Sequence, residues 1–266
     1  MQIQRLNPLR AIAAVLLALT SFTSNSAADT ATRFAYVVNA YDSTISQFVV
    51  DAANGRLRHN GWVPTGKFPS CIVVHPSGKF AFVTQQTGQK ISAYSIDPDT
   101  GRLTEIKGSP FDSRQVSPYW AVTDPKGKFL FVAARNSSNL AVMSINETTG
   151  ALSSIEGSPY PGEGLARPRS VAIHPSGKFV YMANIDGDSV SAYRTDLDKG
   201  KLKTVPGSPF TVGKAPQYMQ LHPNGKYLFV SNWFSRDVST FSIDASTGAL
   251  HKKQHVSLVE GLSTCG

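Results

Sequence analysis

The 266-residue sequence has little cysteine, little charge and almost no long apolar run. Its two cysteines, Cys71 and Cys265, allow at most one internal bridge, which excludes a disulfide-dense scaffold. Only Ala11 to Leu19 approaches membrane length, which excludes a multi-span membrane protein. There is no His-Glu-x-x-His, no paired Cys-x-x-Cys and no Gly-x-Ser-x-Gly, so neither a metal site nor a nucleophile elbow is predicted, and no cofactor is expected. The charge is +8 and scattered, without the basic stripe of a nucleic-acid binder. What is present is 41% hydrophobic and 10% aromatic sequence, too much for a disordered chain and enough for a core of normal size.

The first 28 residues read as an address. Arg5 and Arg10 precede the apolar run, and Ser26-Ala27-Ala28 places small residues at −3 and −1 of a cut after Ala28. The expectation is a periplasmic or secreted protein with no membrane attachment after cleavage. Mass spectrometry of the exported protein should find Asp29 first, and an uncleaved membrane-bound product would contradict this.

Beyond residue 28 helical periodicity is absent and a repeat takes over. His75-Pro76-Ser77-Gly78-Lys79-Phe80 returns with its first residue at Asp124, His174 and His222, at intervals of 49, 50 and 48 residues. Asn54-Gly55-Arg56-Leu57 returns at Thr100, Thr149, Lys199 and Thr247, and Gly108-Ser109-Pro110-Phe111 at Gly157 and Gly207. Each unit reads as four short strands: a (Cys71–Val74), b (Phe80–Thr84), c (Ile91–Ile96) and d (Leu103–Ile106), separated by Gly, Pro, Asn or Asp. Four strands per unit of about 50 residues predicts an all-β propeller of four-stranded blades.

About five units are present, near residues 33–78, 79–127, 128–177, 178–225 and 226–266, in one domain over 29–266. Strands b, c and d occur five times and strand a four times, so the first unit lacks its inner strand. The tail Leu262 to Gly266 falls where that strand would start. Closure through the tail would put Cys71 and Cys265 on neighbouring inner strands, where a bridge could form.

The stretch Arg167-Pro168-Arg169-Ser170 through Gly177-Lys178-Phe179 to Ala183-Asn184, with the Gly-Ser-Pro-Phe and Thr-Gly-Arg-Leu elements, resembles the lactonase-family β-propellers, the group of 6-phosphogluconolactonase and carboxymuconate cyclase. That family is typically seven-bladed. The resemblance implies hydrolysis of a lactone ester, with Arg169 holding the carbonyl or a carboxylate and Asp186 as a possible base. Members that act on lactones resemble one another in a Pro-Arg-His stretch and an Asn-Glu pair. Here these read Pro168-Arg169-Ser170 and Asn184-Ile185, and a further Pro-His element reads Pro118-Tyr119-Trp120. With the arginine kept and the acid–base groups replaced, weak or absent hydrolysis is expected, with an active lactonase as the alternative.

The channel mouth is formed by d–a segments and b–c loops. Tyr119, Trp120, Arg167, Gln217, Tyr218, Trp233 and Arg236 are the candidate ligand-binding residues there, with Lys67, Arg114, Arg135, Asp188, Lys214 and Phe234 in the same segments. Basic groups among exposed aromatics suit a small anionic or sugar-like ligand, or a protein partner. The histidines of the Pro-Ser-Gly turns are read as turn-capping groups, since Asp124 fills the same slot.

Overall fold

Each repeat folds into one antiparallel sheet, in a computed structural model that describes residues 33–162, 167–196 and 198–257. The predicted leader, Cys265 and the tail lie outside the described residues. Blade 1 has three strands: β1 (Phe34–Asn39), β2 (Thr44–Val50) and β3 (Leu57–Pro64). Blade 2 comprises β4 (Pro69–Val74), β5 (Phe80–Gln85), β6 (Lys90–Ile96), β7 (Leu103–Glu105) and β8 (Phe111–Asp112). Blade 3 comprises β9 (Pro118–Thr123), β10 (Phe129–Ala134), β11 (Asn139–Ile145), β12 (Leu152–Ser154) and β13 (Tyr160–Pro161). Blade 4 comprises β14 (Pro168–Ile173), β15 (Phe179–Asn184), β16 (Ser189–Thr195), β17 (Leu202–Thr204) and β18 (Phe210–Thr211). Blade 5 has four strands: β19 (Pro216–Leu221), β20 (Tyr227–Asn232), β21 (Asp237–Ile243) and β22 (Leu250–Ser257).

The five-bladed, all-β expectation holds, and the outer strand differs from it. In blades 2, 3 and 4 strand d is split, and both pieces pair with strand c of their own blade. The Gly-Ser-Pro-aromatic element makes the split. Proline donates no hydrogen bond, so the ladder breaks there and resumes at the aromatic. The serine bridges the break: Ser109, Ser158 and Ser208 each accept the N–H of a strand-c residue, Ala93, Val142 and Ala192, at 2.9–3.0 Å. Blades 1 and 5 lack the element and have unbroken outer strands.

The inner strands pack in chain order, β4 beside β9, β9 beside β14 and β14 beside β19, with β1 next to β4. Strand b is buried along its whole length in blades 2, 3 and 4. Each such blade has a neighbour on both sides, which is why its middle strand is rich in aromatic and β-branched residues rather than alternating.

One joint recurs between successive blades. The aromatic opening strand b lies on the glycine of the next blade's c–d turn: Phe34 on Gly101, Phe80 on Gly150, Phe129 on Gly200 and Phe179 on Gly248. A Cβ at any of these glycines would overlap the ring. The glycines also have positive φ, so two constraints select the same residue. The leucine two residues on completes each joint, Phe80 packing with Leu152 and Phe179 with Leu250. Burying such a ring contributes about 1.5–3 kcal/mol.

Polar links run beside the rings. The Tyr36 hydroxyl donates to the Gly101 carbonyl at 2.7 Å, and Tyr181 to Gly248 at 3.0 Å. The turn histidines do more than cap their own turns. His75 Nδ1 meets Ser77, while Nε2 lies 2.8 Å from the Gly127 carbonyl of the next blade. His174 repeats this with Ser176 and Gly225. Asp124 caps locally, accepting from Lys126 N and Phe129 N.

The c–d turns carry a pH dependence. The Thr100 N–H and hydroxyl hold Asp97 below the ordinary carboxylate range. The Asp198 and Lys199 N–H groups do so for Asp196, and the Ser246 hydroxyl with the Thr247 N–H for Asp244. A depressed folded value stabilises above the unfolded one, near pH 4, and the stabilisation is lost as pH falls through the folded values. Asn146 makes the same turn in blade 3 without titrating. The Asp97→Asn, Asp196→Asn, Asp244→Asn triple variant is therefore expected to lose less thermal stability than wild type between about pH 5 and pH 2, from roughly one unit above the ordinary carboxylate value to two below it. Parallel stability–pH curves would contradict this.

Candidate ligand site at the channel mouth

Inner strands begin at Pro69, Pro118, Pro168 and Pro216, and each has a β-bulge immediately after the proline. The residue left unpaired is Ser70, Tyr119, Arg169 and Gln217 in turn. A bulge re-aims the side chain it frees and bends the strand. Three of these four positions were proposed from the sequence for their chemistry; the bulge that sets them apart is tertiary information. The residues before the prolines, Phe68, Ser117, Arg167 and Ala215, all have positive φ, between 32° and 61°. Blades 2 to 5 all repeat this geometry, so it belongs to the fold. The side chains mounted on it differ.

In blades 3, 4 and 5 those side chains form one cluster. The Arg169 guanidinium lies over the Tyr119 ring at 4.5 Å and near the Tyr218 ring at 6.0 Å. Trp120 meets Tyr218 edge to face at 5.4 Å. Arg135, from the β10–β11 loop, also lies over the Tyr119 ring, at 5.7 Å. Arg167 pairs with Asp186 at 3.6 Å, both about half exposed. Five of the sequence-proposed residues, together with Asp186, thus stand together. Gln217 sits beside them at the blade 5 bulge. Trp233 and Arg236 project from the β20–β21 loop, both exposed, with no described contact to the cluster.

The electrostatics are unbalanced. Among the described residues three guanidiniums face one carboxylate. Burial lowers the Arg135 pKa, and the positive charges of Arg169 and Arg167 lower it further. Arg169 Nε is buried without a hydrogen-bond partner. Burial raises the Tyr119 phenol, against the pull of Arg169, so it stays a neutral donor. Cation–aromatic contact stabilises such a guanidinium by about 0.5–2 kcal/mol without neutralising its charge. The arrangement can accept a carboxylate or phosphate oxygen and stack a sugar ring against Trp120 or Tyr218.

Proton-transfer groups are scarce beside it. Ser170 is buried with its Oγ unpartnered. Asn184, where the resemblance led one to compare an Asn-Glu pair, is structural: its Nδ2 donates to Ser189 and Ser191. Asn39 and Asn232 do the same at the ends of β1 and β20, bonding groups five and seven residues on. That spacing was present in the sequence. Asp188 is engaged: burial tends to raise its pKa, but the Lys214 ammonium at 2.6 Å and the Ala215 N–H hold it lower.

Two tempting features carry no catalysis. Ser239, His255 and Asp237 come together in blade 5, but hydroxyl and carboxylate both face His255 Nδ1, at 3.1 and 3.6 Å, so the imidazole cannot relay a proton between them. Cys71 is a buried free thiol donating to the Ala121 carbonyl, and burial pushes its pKa up to about 12. Its suggested partner Cys265 lies outside the described residues. Among the described residues no group of three or more His, Cys, Asp or Glu could hold a metal ion, and no helix is long and apolar enough to cross a membrane.

The family model described as "Lactonase, 7-bladed beta-propeller" matches residues 2–116, 120–215 and 162–264. A 6-phosphogluconolactonase of Pectobacterium carotovorum is 28% identical over 89 residues, covering 31% of this chain. The match spans only 27% of that relative. The periplasmic gluconolactonase of Pseudomonas aeruginosa superposes with a TM-score of 0.76 at 18% identity, covering 93% of this chain and 73% of that one. A Lactobacillus plantarum protein superposes with a TM-score of 0.75 at 20% identity, covering 85% and 69%.

Proposed function

The chain belongs to the family of seven-bladed lactonase β-propellers, and on that premise we propose that its channel mouth binds a small anionic or sugar-like ligand of the aldonate or aldonolactone class, with weak or no hydrolysis. The observation that carries this reading is Arg169, held over Tyr119 and beside Tyr218 with a buried, unpartnered Nε. Such a group binds an oxygen of a carboxylate, phosphate or lactone without first breaking a bond of its own.

Hydrolysis needs more. A positive group stabilises the developing oxyanion, but a base must still take a proton from water. Among the described residues Asp186 is the only carboxylate at the cluster, and it is half exposed and paired with Arg167. Export through residues 1–28 is part of the proposal. It fits a free sugar acid better than a phosphosugar, whose metabolism is intracellular.

The experiment is titration calorimetry with gluconate, 6-phosphogluconate and glucose, alongside glucono-1,5-lactone turnover corrected for spontaneous hydrolysis. Binding of either anion but not of glucose, with turnover close to background, is expected. Anions and glucose binding equally, or none binding, would remove Arg169 from the reading. Turnover well above background that falls with Asp186→Asn would favour the active-lactonase alternative.

A further inference from the structure

The mouth has a second half that the arginine cluster does not use. Among the described residues between 65 and 215, only two large hydrophobic side chains are exposed, Phe68 at 46% and Val116 at 47%. Both stand in segments that lead into inner strands at the mouth, just before Pro69 and Pro118. Tyr41, from the β1–β2 loop, meets Phe68 edge to face at 6.0 Å and is itself 73% exposed. The backbone beneath is anchored: the Phe68 carbonyl accepts the Gln86 N–H at 3.0 Å, and the Ser70 hydroxyl, two residues on, donates to the Tyr119 carbonyl at 2.8 Å. Val116 borders the loop that carries Arg135, its carbonyl accepting the Asn136 and Ser137 N–H groups at 3.3 Å. An apolar row thus leads from blade 2 to the part of blade 3 where Arg169 and Arg135 stand over Tyr119.

The polar groups change along the same row. The β5–β6 loop of blade 2, Gln86-Thr87-Gly88-Gln89, has no charge, and the side chains of Gln86, Thr87 and Gln89 bond no described residue. The corresponding loops of blades 3 and 4 carry Arg135 and the pair Asp186 and Asp188. An aromatic face flanked by free amides and a hydroxyl suits a neutral pyranose, its C–H face on the ring and its hydroxyls on the amides, whereas guanidiniums suit an acid. We propose that the mouth takes an aldonate carrying a glycosyl group, an aldobionate, with its carboxylate at Arg169 and its second sugar over Phe68. This rests on the anionic-ligand reading of the cluster and adds the sugar that follows the acid. Adjacent blades pack about 10 Å apart, so the two halves lie roughly one blade from each other and a free aldonate fills only the charged one. The open surface around Phe68 gives an acyl chain little to bury against, while a pyranose keeps its outer hydroxyls in water.

Titration calorimetry with gluconate, cellobionate, maltobionate and lactobionate tests this, with cellobiose, maltose and lactose as uncharged controls. At least one aldobionate should bind about tenfold tighter than gluconate, the value of one aromatic contact with its apolar area. Its uncharged counterpart should bind far more weakly, because the acid anchors the ligand. Phe68→Asn removes the ring but tolerates the positive φ of that position. The variant should melt as wild type does and bind gluconate unchanged, and its aldobionate affinity should fall to that of gluconate. Phe68→Trp should keep the preference. If no aldobionate exceeds gluconate, this proposal is overturned and the anionic-ligand reading stands. A preference that survives Phe68→Asn, or an uncharged disaccharide that binds as tightly as its aldobionate, overturns it as well. If neither gluconate nor any aldobionate binds, the reading of the cluster fails and this proposal falls with it.

Discussion

Phe179→Ala is expected to cost about 3–5 kcal/mol of folding stability, and Tyr227→Ala, the same position one repeat later, about 0.5 kcal/mol or less in dilute solution. The two residues open equivalent strands after the same turn motif. Phe179 is enclosed by Gly248 and Leu250 of the next blade, with the Arg194 guanidinium 5.4 Å from its ring centre and His174 edge-on at 5.8 Å. Truncating it removes the apolar transfer term and leaves a void that the glycine cannot fill. Against a total of about 5–15 kcal/mol for a domain, that is a large share. Tyr227 keeps the edge-on histidine, His222 at 6.2 Å, but among the described residues it covers no glycine of a following blade. Urea unfolding with unchanged slope and a shifted midpoint measures both. Equal losses at the two positions would mean that the joint contributes nothing beyond local strand formation.

Arg169→Ala is expected to weaken binding of a carboxylate or phosphate ligand by about 10–150-fold, the value of one or two charge-assisted hydrogen bonds. Stability should change far less. The lost contact with Tyr119 costs about 0.5–1 kcal/mol, and relief of repulsion with Arg135 and Arg167 offsets part of it. Arg169→Lys keeps the charge but loses the planar fork and should fall between. Any lactone turnover should disappear with the alanine variant. If affinity and turnover survive both substitutions, the ligand does not bind at this mouth.

The two expected results separate what each level of description contributes. Repeat markers at 48–50-residue intervals suffice for the architecture, because turn chemistry and strand composition act within each unit. The same markers make Phe179 and Tyr227 look alike. Their difference comes from contacts about 65–70 residues away in sequence, such as Phe179 on Gly248, which periodicity does not report.

At the site, the family resemblance pointed to Arg169, and residue type to Tyr119, Trp120, Tyr218 and Arg167. Those are the side chains that chemistry singles out in d–a segments and inner strands. Arg135 stood out no more than Lys67 or Arg114 did. Its place over Tyr119 depends on how the β10–β11 loop folds back toward the neighbouring strand. Trp233 and Arg236 are exposed on the β20–β21 loop and make no described contact with the cluster. The bulge after each proline was illegible, since Pro-Ser, Pro-Tyr, Pro-Arg and Pro-Gln share no side-chain type.

The sequence by itself determined the blade, its strand order and its turns, since those follow from glycine, proline and β-branched residues acting on their near neighbours. Only the tertiary structure decided which rings are covered and which guanidiniums converge. Both depend on one blade meeting another, and the energy of that meeting resides in pairs of residues from different repeats.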